Sequence, residues 1–406
     1  MTDKIAFIFS GKSTTATPGG LGAYAHNSCQ LFHELGYEVH LFGYGAAANV
    51  EQLEHCTAHT VRSRAKFLSS LAAPLINQQL AGAARRVIQG REQTTLVLMG
   101  AGIWAEAGNI VSQSLAKFPG KRRTVGAYFT TFLHEYKGQV AGASARDYGI
   151  IANFLVRMSY LAAFLLSKYE HRTLKKLDDI IVHYSSSRSI LTDECKSLAE
   201  DKISTTDYYT DLYVRQGDNE PTRSSDQLIT LAIICRQDPR KGINTFLHAV
   251  SLLKNQGLRF KVTIAGNGIF LARNISLSKK LNVDDIVEFA GFIPSAEALI
   301  IDSDIMVLPS FEEGAGAISL LEAMKVGRPI ISSNCDGIPE DLSHDHSALL
   351  FTPGDSQELA KQMRRLISDP SLRTRLAKNA KSRYDEKFSF QLMKDGFKKI
   401  LDPTAL

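Results

Sequence analysis

The sequence lacks the features that mark several classes of protein. Its 406 residues contain only 5 cysteines, an odd number at wide spacing and without a C-x-x-C pair, so neither a zinc site nor a disulfide framework is indicated. No uncharged apolar run reaches the roughly 18 residues that span a bilayer. The best candidate, residues 150–166, is interrupted by Asn153 and Arg157. No basic lead or small-residue cleavage site accompanies the first apolar run, residues 5–9, so no signal peptide is predicted and a cytoplasmic location is expected.

A strong charge imbalance is also missing. The chain has 47 basic and 42 acidic residues, a formal charge of +5, which is too small and too evenly spread to predict nucleic-acid binding. It is compatible with a mildly basic surface for an anionic ligand. The 44% of hydrophobic residues and 22% of charged residues are typical of a soluble globular protein, and the length predicts two or three domains.

Short β-rich runs alternate with longer helical patterns in two series. The first series places strands at 5–9, 39–42, 95–99, 124–129 and 180–183, and the second at 228–233, 260–265, 286–289, 305–308 and 329–332. The alternation predicts an α/β fold of two Rossmann-like, doubly wound domains with parallel sheets. We expect the first domain over 1–214, a polar linker over 215–226 and the second domain over 227–389, with a last helix at 390–406 that packs back on the first. Ligands are then expected in the cleft where the domains face each other.

Three segments that follow predicted strands carry candidate binding residues. Gly19 and Gly20 lie in a loop before a helix, where glycines let the backbone approach an anion; a plain flexible connection is an equally good interpretation. Arg236 and Lys241 lie 5 residues apart after the first strand of the second domain, where two cations can clamp a diphosphate. A solvated basic turn is the simpler alternative for that segment taken alone.

The third segment, residues 309–324, is the most informative. A strand ends, a glycine-rich turn carries Glu312 and Glu313, and a helix begins near Ile318. Carboxylates at such a turn can accept hydrogen bonds from ligand hydroxyls, and the N–H groups of Ile318 and Ser319 can hold phosphate. Glu322, about one turn into the helix, is placed to reach a second pair of hydroxyls. The ordinary alternative for any one of these acids is a surface partner of the helix dipole.

Together these residues resemble the retaining glycosyltransferases of family GT4, which have the GT-B fold. Arg236 and Lys241 fall at the spacing of the family's "GRL-x-x-x-KG" segment, although Cys235 replaces a glycine. The similarity covers nearly the whole chain and is strongest over 228–392. Its other motifs are Gly19-Gly20, Ile264-Ala265-Gly266-Asn267-Gly268, Phe289-Ala290-Gly291-Phe292-Ile293, Leu320-Leu321-Glu322-Ala323-Met324 with Gly327-Arg328-Pro329, and Phe351-Thr352-Pro353-Gly354-Asp355.

One departure from the family pattern concerns its two glutamates, which have seven residues between them. Here Glu322 aligns, but the position 8 residues before it is Gly314, and Glu313 lies one step earlier. We expect a small bulge at Gly314, Ala315 and Gly316 to return Glu313 to the site. Without that bulge the contact with the donor sugar is lost, and the chain is slow, altered in specificity or inactive.

The resemblance implies transfer of a sugar from a nucleoside diphosphate to an acceptor, with retained anomeric configuration and with neither metal nor cofactor. Arg236 and Lys241 would offset the charge of the leaving diphosphate, Glu313 would bind the donor sugar, Glu322 the ribose, and the backbone near Ile293 the base. His134, after the fourth strand, is the candidate histidine near donor sugar and acceptor, with Thr131 in reserve. Lys241→Ala is expected to reduce transfer by orders of magnitude and to leave the fold intact.

The acceptor is left open among a glycan, a lipid-linked sugar and a small molecule. Two segments are candidates for peripheral contact with the inner face of the membrane: the basic and apolar residues at 61–76 and the basic cluster at 117–123. An ordinary helix with a solvated face is the favoured interpretation of them. Two alternatives to transfer remain: an inactive GT-B homologue that serves as a partner subunit, and a GT-B sugar-nucleotide epimerase or phosphorylase.

Overall fold

The chain forms two compact units, each built on its own sheet. Unit 1 comprises residues 1–132, 164–211 and 389–406, and unit 2 comprises 133–163 and 212–388. A computed structural model describes residues 4–12, 20–63, 72–91, 94–115, 120–209, 228–293, 296–314 and 316–401. Statements about the structure refer to these residues.

Within the described residues, eight strands form the sheet of unit 1 and six form the sheet of unit 2. The strands of unit 1 are β1 (Lys4–Lys12), β2 (Glu38–Gly45), β3 (Asn49–Gln52), β4 (Thr57–Arg62), β5 (Thr95–Ala101), β6 (Arg122–Ala127), β7 (Asp179–Val182) and β8 (Ile203–Thr205). Those of unit 2 are β9 (Ile229–Ile234), β10 (Phe260–Ala265), β11 (Val287–Gly291), β12 (Ile305–Leu308), β13 (Ile330–Ser333) and β14 (Leu349–Phe351).

Helices connect most of the strands. In chain order they are α1 (Gly20–Glu34), α2 (Ala73–Ile88), α3 (Ala105–Ser114), α4 (Phe132–Gly142), α5 (Ala145–Tyr148), α6 (Ile150–Lys176), α7 (Ser185–Glu194), α8 (Ile243–Asn255), α9 (Leu271–Lys280), α10 (Ala296–Asp302), α11 (Ile318–Val326), α12 (Ile338–Asp341), α13 (Ser356–Ser368), α14 (Pro370–Lys387) and α15 (Phe390–Leu401). Short 3-10 turns lie at Gly102–Trp104, Glu200–Lys202 and Pro239–Lys241.

The sheets have the parallel order expected of an α/β fold. The order in unit 1 is β3-β4-β2-β1-β5-β6-β7-β8, in which β3–β4 is the only antiparallel pair among the described strands. Unit 2 has the order β11-β10-β9-β12-β13-β14, all parallel. The chain therefore moves outward from β9 in one direction and from β12 in the other. That reversal opens a crevice at the carboxyl ends of β9 and β12, which is where doubly wound sheets bind ligands.

The core of unit 2 holds this crevice in place. Helix α8 buries Ile243, Phe246, Leu247 and Val250, a spacing of three and four residues that forms one helical face. These side chains pack with residues of β9, β10 and β12, and full burial of each apolar side chain is worth about 1.5–3 kcal/mol. The ends of β9 and β12 are therefore rigidly supported.

Residues 133–163 belong to unit 2, whereas the sequence interpretation placed them in the first domain. The reason is close packing: a Cβ on Gly142 would lie 1.9 Å from the carbonyl oxygen of Pro239, and one on Gly138 would lie 2.6 Å from Cβ of Glu312. Farther along, the rings of Tyr148 and Phe270 meet edge to face at 4.9 Å. Because Gly138 and Gly142 have no side chains, α4 lies directly on the turns that follow β9 and β12.

Helix α15 is part of unit 1. The ring of Phe397 lies 6.2 Å from that of Phe32, and Lys394 Nζ is 2.7 Å from Glu34 Oε2. The linker expected at 215–226 lies outside the described residues, as do 64–71 and 117–119 of the two segments considered for membrane contact. Within the second segment, Arg123 pairs with Asp179 at 2.7 Å, so that guanidinium is already engaged inside the protein.

Candidate active site

The turn after β9 places its cations at the carboxyl edge of the sheet. Gly242 ends this turn with φ of 64°, and a Cβ there would lie 1.8 Å from the carbonyl oxygen of Pro309. Only glycine tolerates both the conformation and the approach. The glycine thereby lets Lys241 reach the residues that follow β12, while the side chain of Arg236 stays 57% exposed and donates to the carboxylate of Asp238.

Lys241 and Glu313 form a buried ion pair. Lys241 Nζ lies 2.5 Å from Glu313 Oε1, and both side chains are buried. The hydroxyl of Ser310 donates to the same carboxylate oxygen. Burial would raise the pKa of Glu313, but Lys241, Arg240 and these hydrogen bonds lower it below its usual value. Glu313 is therefore an anion held beside a cation at the end of β12.

The backbone beyond Glu313 is left-handed at two glycines. Gly314 has φ of 36° and Gly316 has φ of 75°, both in the region that favours glycine. Ala315 lies outside the described residues. With this backbone the side chain of Glu313 points to Lys241 although the spacing to Glu322 is one residue longer than in the GT4 pattern.

A second buried pair lies next to the first. Arg240 Nη1 donates to Glu312 Oε2 at 2.8 Å, and Arg240 Nε is 3.4 Å from Glu135 Oε1. Glu135 also accepts from Arg236 Nη2 at 3.2 Å. Burial raises the pKa of Glu312 despite the guanidinium beside it. Two arginines and three glutamates, counting Glu313, thus share this edge of unit 2.

His134 is held in the same cluster by Asp336. Its Nε2 lies 2.9 Å from Asp336 Oδ1, and Asp336 Oδ2 accepts from the amides of Glu313 at 2.8 Å and Gly314 at 3.0 Å. Burial would raise the pKa of Asp336, but His134 and these amides lower it. Asp336 therefore ties the orientation of the imidazole to the backbone of the glycine turn. The reserve candidate, Thr131, instead donates to Glu194 in unit 1.

Helix α11 begins beside these turns without a side-chain cap among the described residues, because its N-cap position is Ala317. The first N–H groups, those of Ile318 and Ser319, are the donors that an anion can use. One turn further, burial and the neighbouring Glu297 raise the pKa of Glu322 to about 7. This carboxyl group therefore holds its proton to a higher pH than an exposed glutamate does.

The remaining predicted donor-binding residues lie outside this cluster of ion pairs. Ile293 follows β11 at the same carboxyl edge of unit 2, two residues after Gly291, whose φ is 66°. Gly20 is the first residue of α1 in unit 1, and Gly19 lies outside the described residues. The structure therefore gathers Arg236, Lys241, Glu313 and His134 in unit 2, whereas Gly20 lies in unit 1.

Sequence reasoning missed Asp336, Ser310 and the Arg240–Glu312 pair. Asp336 follows β13 and has φ of 45°, a left-handed conformation that aspartate tolerates better than most residues. Its place after a parallel strand was the available signal. No local sequence pattern indicates the ion pair, because Arg240 and Glu312 are 72 residues apart.

The side chains of His134, Glu312 and Asp336 offer ligand atoms within 4.8 Å of one another, a spacing that a metal ion can bridge. The donors already have protein partners, however: His134 pairs with Asp336, and Glu312 with Arg240. The donor set thus fits a metal in number and type, but a cation there would lie beside the positive charge of Arg240.

Comparison with known proteins gives a family match over part of the chain. Residues 215–383 match the family model described as "Glycosyl transferases group 1". The amylovoran biosynthesis glycosyltransferase AmsK of Erwinia amylovora is 34% identical over 147 residues, which cover 34% of this chain and 36% of AmsK. The chain therefore aligns with little more than a third of that relative's length.

Solved structures extend the likeness to the whole chain. Sucrose-phosphate synthase from Thermosynechococcus elongatus superposes with a TM-score of 0.75 at 20% identity, covering 98% of each chain. Anabaena HepE in complex with UDP and glucose gives a TM-score of 0.69 at 16% identity, covering 99% of this chain and all of the other. Residues 215–383 thus resemble the glycosyl transferases of group 1, and the chain has the GT-B fold, as the sequence resemblance indicated.

Proposed function

We propose that this chain is a glycosyltransferase that moves a sugar from a nucleoside diphosphate to an acceptor with retention of configuration and without a metal. The observation that carries the proposal is the buried Lys241–Glu313 pair at the switch point of unit 2. A cation and an anion placed side by side suit a donor that presents a diphosphate next to sugar hydroxyls.

The diphosphate would bind between the β9 turn and the start of α11. Arg236 is exposed there, and Lys241 can share its ammonium between Glu313 and a phosphate oxygen. The amides of Ile318 and Ser319 add donors at a helix N-terminus. As the bond to the sugar breaks, negative charge grows on the leaving diphosphate, and these fixed donors stabilise it without reorganisation. They would perform the task that a metal ion performs in other transferases.

The carboxylates and the histidine would bind the rest of the donor. Glu313 would accept hydrogen bonds from the donor sugar, Glu322 from the ribose, and the backbone at Ile293 would contact the base. His134, oriented by Asp336, would contact the donor sugar near the acceptor. The leaving phosphate would then take the proton of the acceptor hydroxyl, consistent with the engagement of Glu312 and Glu313 in ion pairs.

Donor binding is the first experiment. Thermal shift with a panel of UDP, GDP and ADP sugars is expected to show stabilisation by one base in preference to the others, because ligands that bind only the folded state raise its melting temperature. Transfer measured with the selected donor should survive EDTA. A chain that binds the donor but neither transfers nor hydrolyses it would be an inactive partner subunit. A chain that alters the free donor sugar without an acceptor would be an epimerase.

A further inference from the structure

Helix α6 exposes an apolar face that the proposed function does not use. The exposed fraction is 77% for Ile151 and 57% for both Phe154 and Leu155. Large exposed apolar side chains in such a row are unusual on soluble proteins and mark an interaction surface. The members of this α6 face are Ile150, Ile151, Phe154, Leu155, Met158, Leu161, Phe164 and Leu165.

Their spacing places them on one side of the helix. Residues 151, 155 and 158 follow each other at intervals of four and three residues, as neighbours on one helical face do. At about 1.5 Å per residue, the face extends for roughly 20 Å. The opposite side is anchored in the protein, since Ala152 and Val156 are buried in a cluster with Phe270.

The charges around this face have one sign. Helix α6 contains no Asp or Glu before Glu170, which is buried. Arg157 is exposed within the apolar row, and its guanidinium is hydrogen-bonded to Asn153 along the helix at 3.0 Å. Lys168, Arg172 and Lys175 follow on the same helix, all exposed, whereas Lys176 is paired with Glu106 at 2.5 Å. Apolar side chains with a basic fringe complement an anionic lipid surface.

Two other occupants fit less well. By length and composition α6 is the one helix among the described residues that could cross a bilayer, but insertion would bring Arg157 into hydrocarbon and pull Val156 out of its buried cluster. A second copy of the chain packed on the same face would bring the basic residues together without an acidic partner on that face.

We propose that the α6 face docks this chain on an anionic bilayer, with the helix parallel to the surface and its apolar side chains in the interface. The basic residues would contact lipid headgroups. This surface differs from the segments 61–76 and 117–123 and does not depend on the nature of the transferred sugar.

Co-sedimentation of the full chain with vesicles tests the proposal. We expect binding to phosphatidylcholine vesicles that contain 30% phosphatidylglycerol, and at least tenfold weaker partition to phosphatidylcholine alone. The triple substitution Ile151→Gln, Leu155→Gln, Met158→Gln should reduce partition to the anionic vesicles at least tenfold. The matched control is Leu392→Gln on α15, where the side chain is 39% exposed, and it should bind as the unchanged protein does. Circular dichroism should show the same helix content for all of these proteins.

Three outcomes would overturn the proposal: no sedimentation of the unchanged chain with anionic vesicles, undiminished sedimentation of the triple variant, or equal loss in the Leu392→Gln control. Light scattering in the absence of lipid measures the oligomeric state and so tests the other occupant, a second copy of the chain. A dimer that the triple substitution converts to a monomer, without lipid binding by either, would assign the α6 face to a contact between copies.

Discussion

The Lys241–Glu313 pair yields the sharpest prediction, because stability and activity respond to it differently. Lys241→Met removes the cation and leaves a buried carboxylate, whereas Glu313→Gln removes the anion and leaves a buried ammonium. Each single substitution is expected to lower the free energy of unfolding by about 3–5 kcal/mol. The double substitution leaves neither charge, so most of that loss should be recovered. Lys241→Ala, which was expected from the sequence to leave the fold intact, should lower the free energy of unfolding for the same reason.

The magnitude follows from the geometry. At 2.5 Å, two unit charges attract by about 7 kcal/mol at an effective dielectric constant of 20. Desolvation of both ions cancels most of this attraction in the intact pair, which is why the double substitution is inexpensive. A single substitution keeps one desolvation cost and loses the attraction. Ser310 still donates to Glu313 in Lys241→Met, so that variant should lie at the low end of the range.

Urea denaturation followed by circular dichroism measures these free energies, with the exposed Lys261→Met as the matched lysine control. Donor transfer is measured on the same proteins. We expect both singles and the double to lose about a thousandfold or more in turnover, while the double and the control remain close to the unchanged protein in stability. If the single variants are as stable as the control, the buried ion pair does not contribute as proposed. If the double variant still transfers the donor sugar appreciably, the pair has no part in the reaction.

Other residues of the site give further expectations. Because burial and Glu297 raise the pKa of Glu322 to about 7, its stabilising contribution is complete below the unfolded-state value and is lost as pH rises through 7. Glu322→Gln should therefore match the unchanged protein in stability at pH 4 and exceed it at pH 8 by roughly 2–4 kcal/mol, and equal stabilities at pH 8 would contradict this. Donor affinity should increase from pH 6 to 8 in the unchanged protein, where the carboxylate forms, and stay constant in Glu322→Gln. In Asp336→Asn the amide side chain cannot accept hydrogen bonds from both His134 and the two backbone amides. We therefore expect about 1–3 kcal/mol of destabilisation. We also expect a lower kcat with an unchanged KM for the donor. An unchanged kcat would exclude the positioning of His134.

Much of the fold was accessible from the sequence because central parallel strands are buried on both faces and stand out as apolar runs. β9 and β12 were predicted in this way. β3 was missed because its four residues, Asn49–Gln52, are all exposed at the sheet edge, which leaves no apolar signal. β8 was missed because it has only three residues.

The site was accessible only in part, for a similar reason. Motif spacing indicated Arg236, Lys241 and Glu313, which the structure gathers at one edge. The assignment of 133–163 to unit 2 depends on Gly138 and Gly142, where an absent side chain permits close packing. Local patterns do not reveal such long-range approaches. For the same reason the partners Asp336 and Arg240 became visible only in three dimensions.

The configuration of the first product tests the central claim most directly, and it needs no knowledge of the acceptor. With the nucleoside-diphosphate sugar selected by thermal shift, slow transfer to water can be followed by proton NMR before the free sugar equilibrates between its anomers. We predict that the first anomer formed has the configuration of the donor, that EDTA leaves the rate unchanged, and that the double substitution of Lys241 and Glu313 abolishes the reaction. An inverted first product, or a rate that the double substitution leaves intact, would contradict retaining transfer at this site.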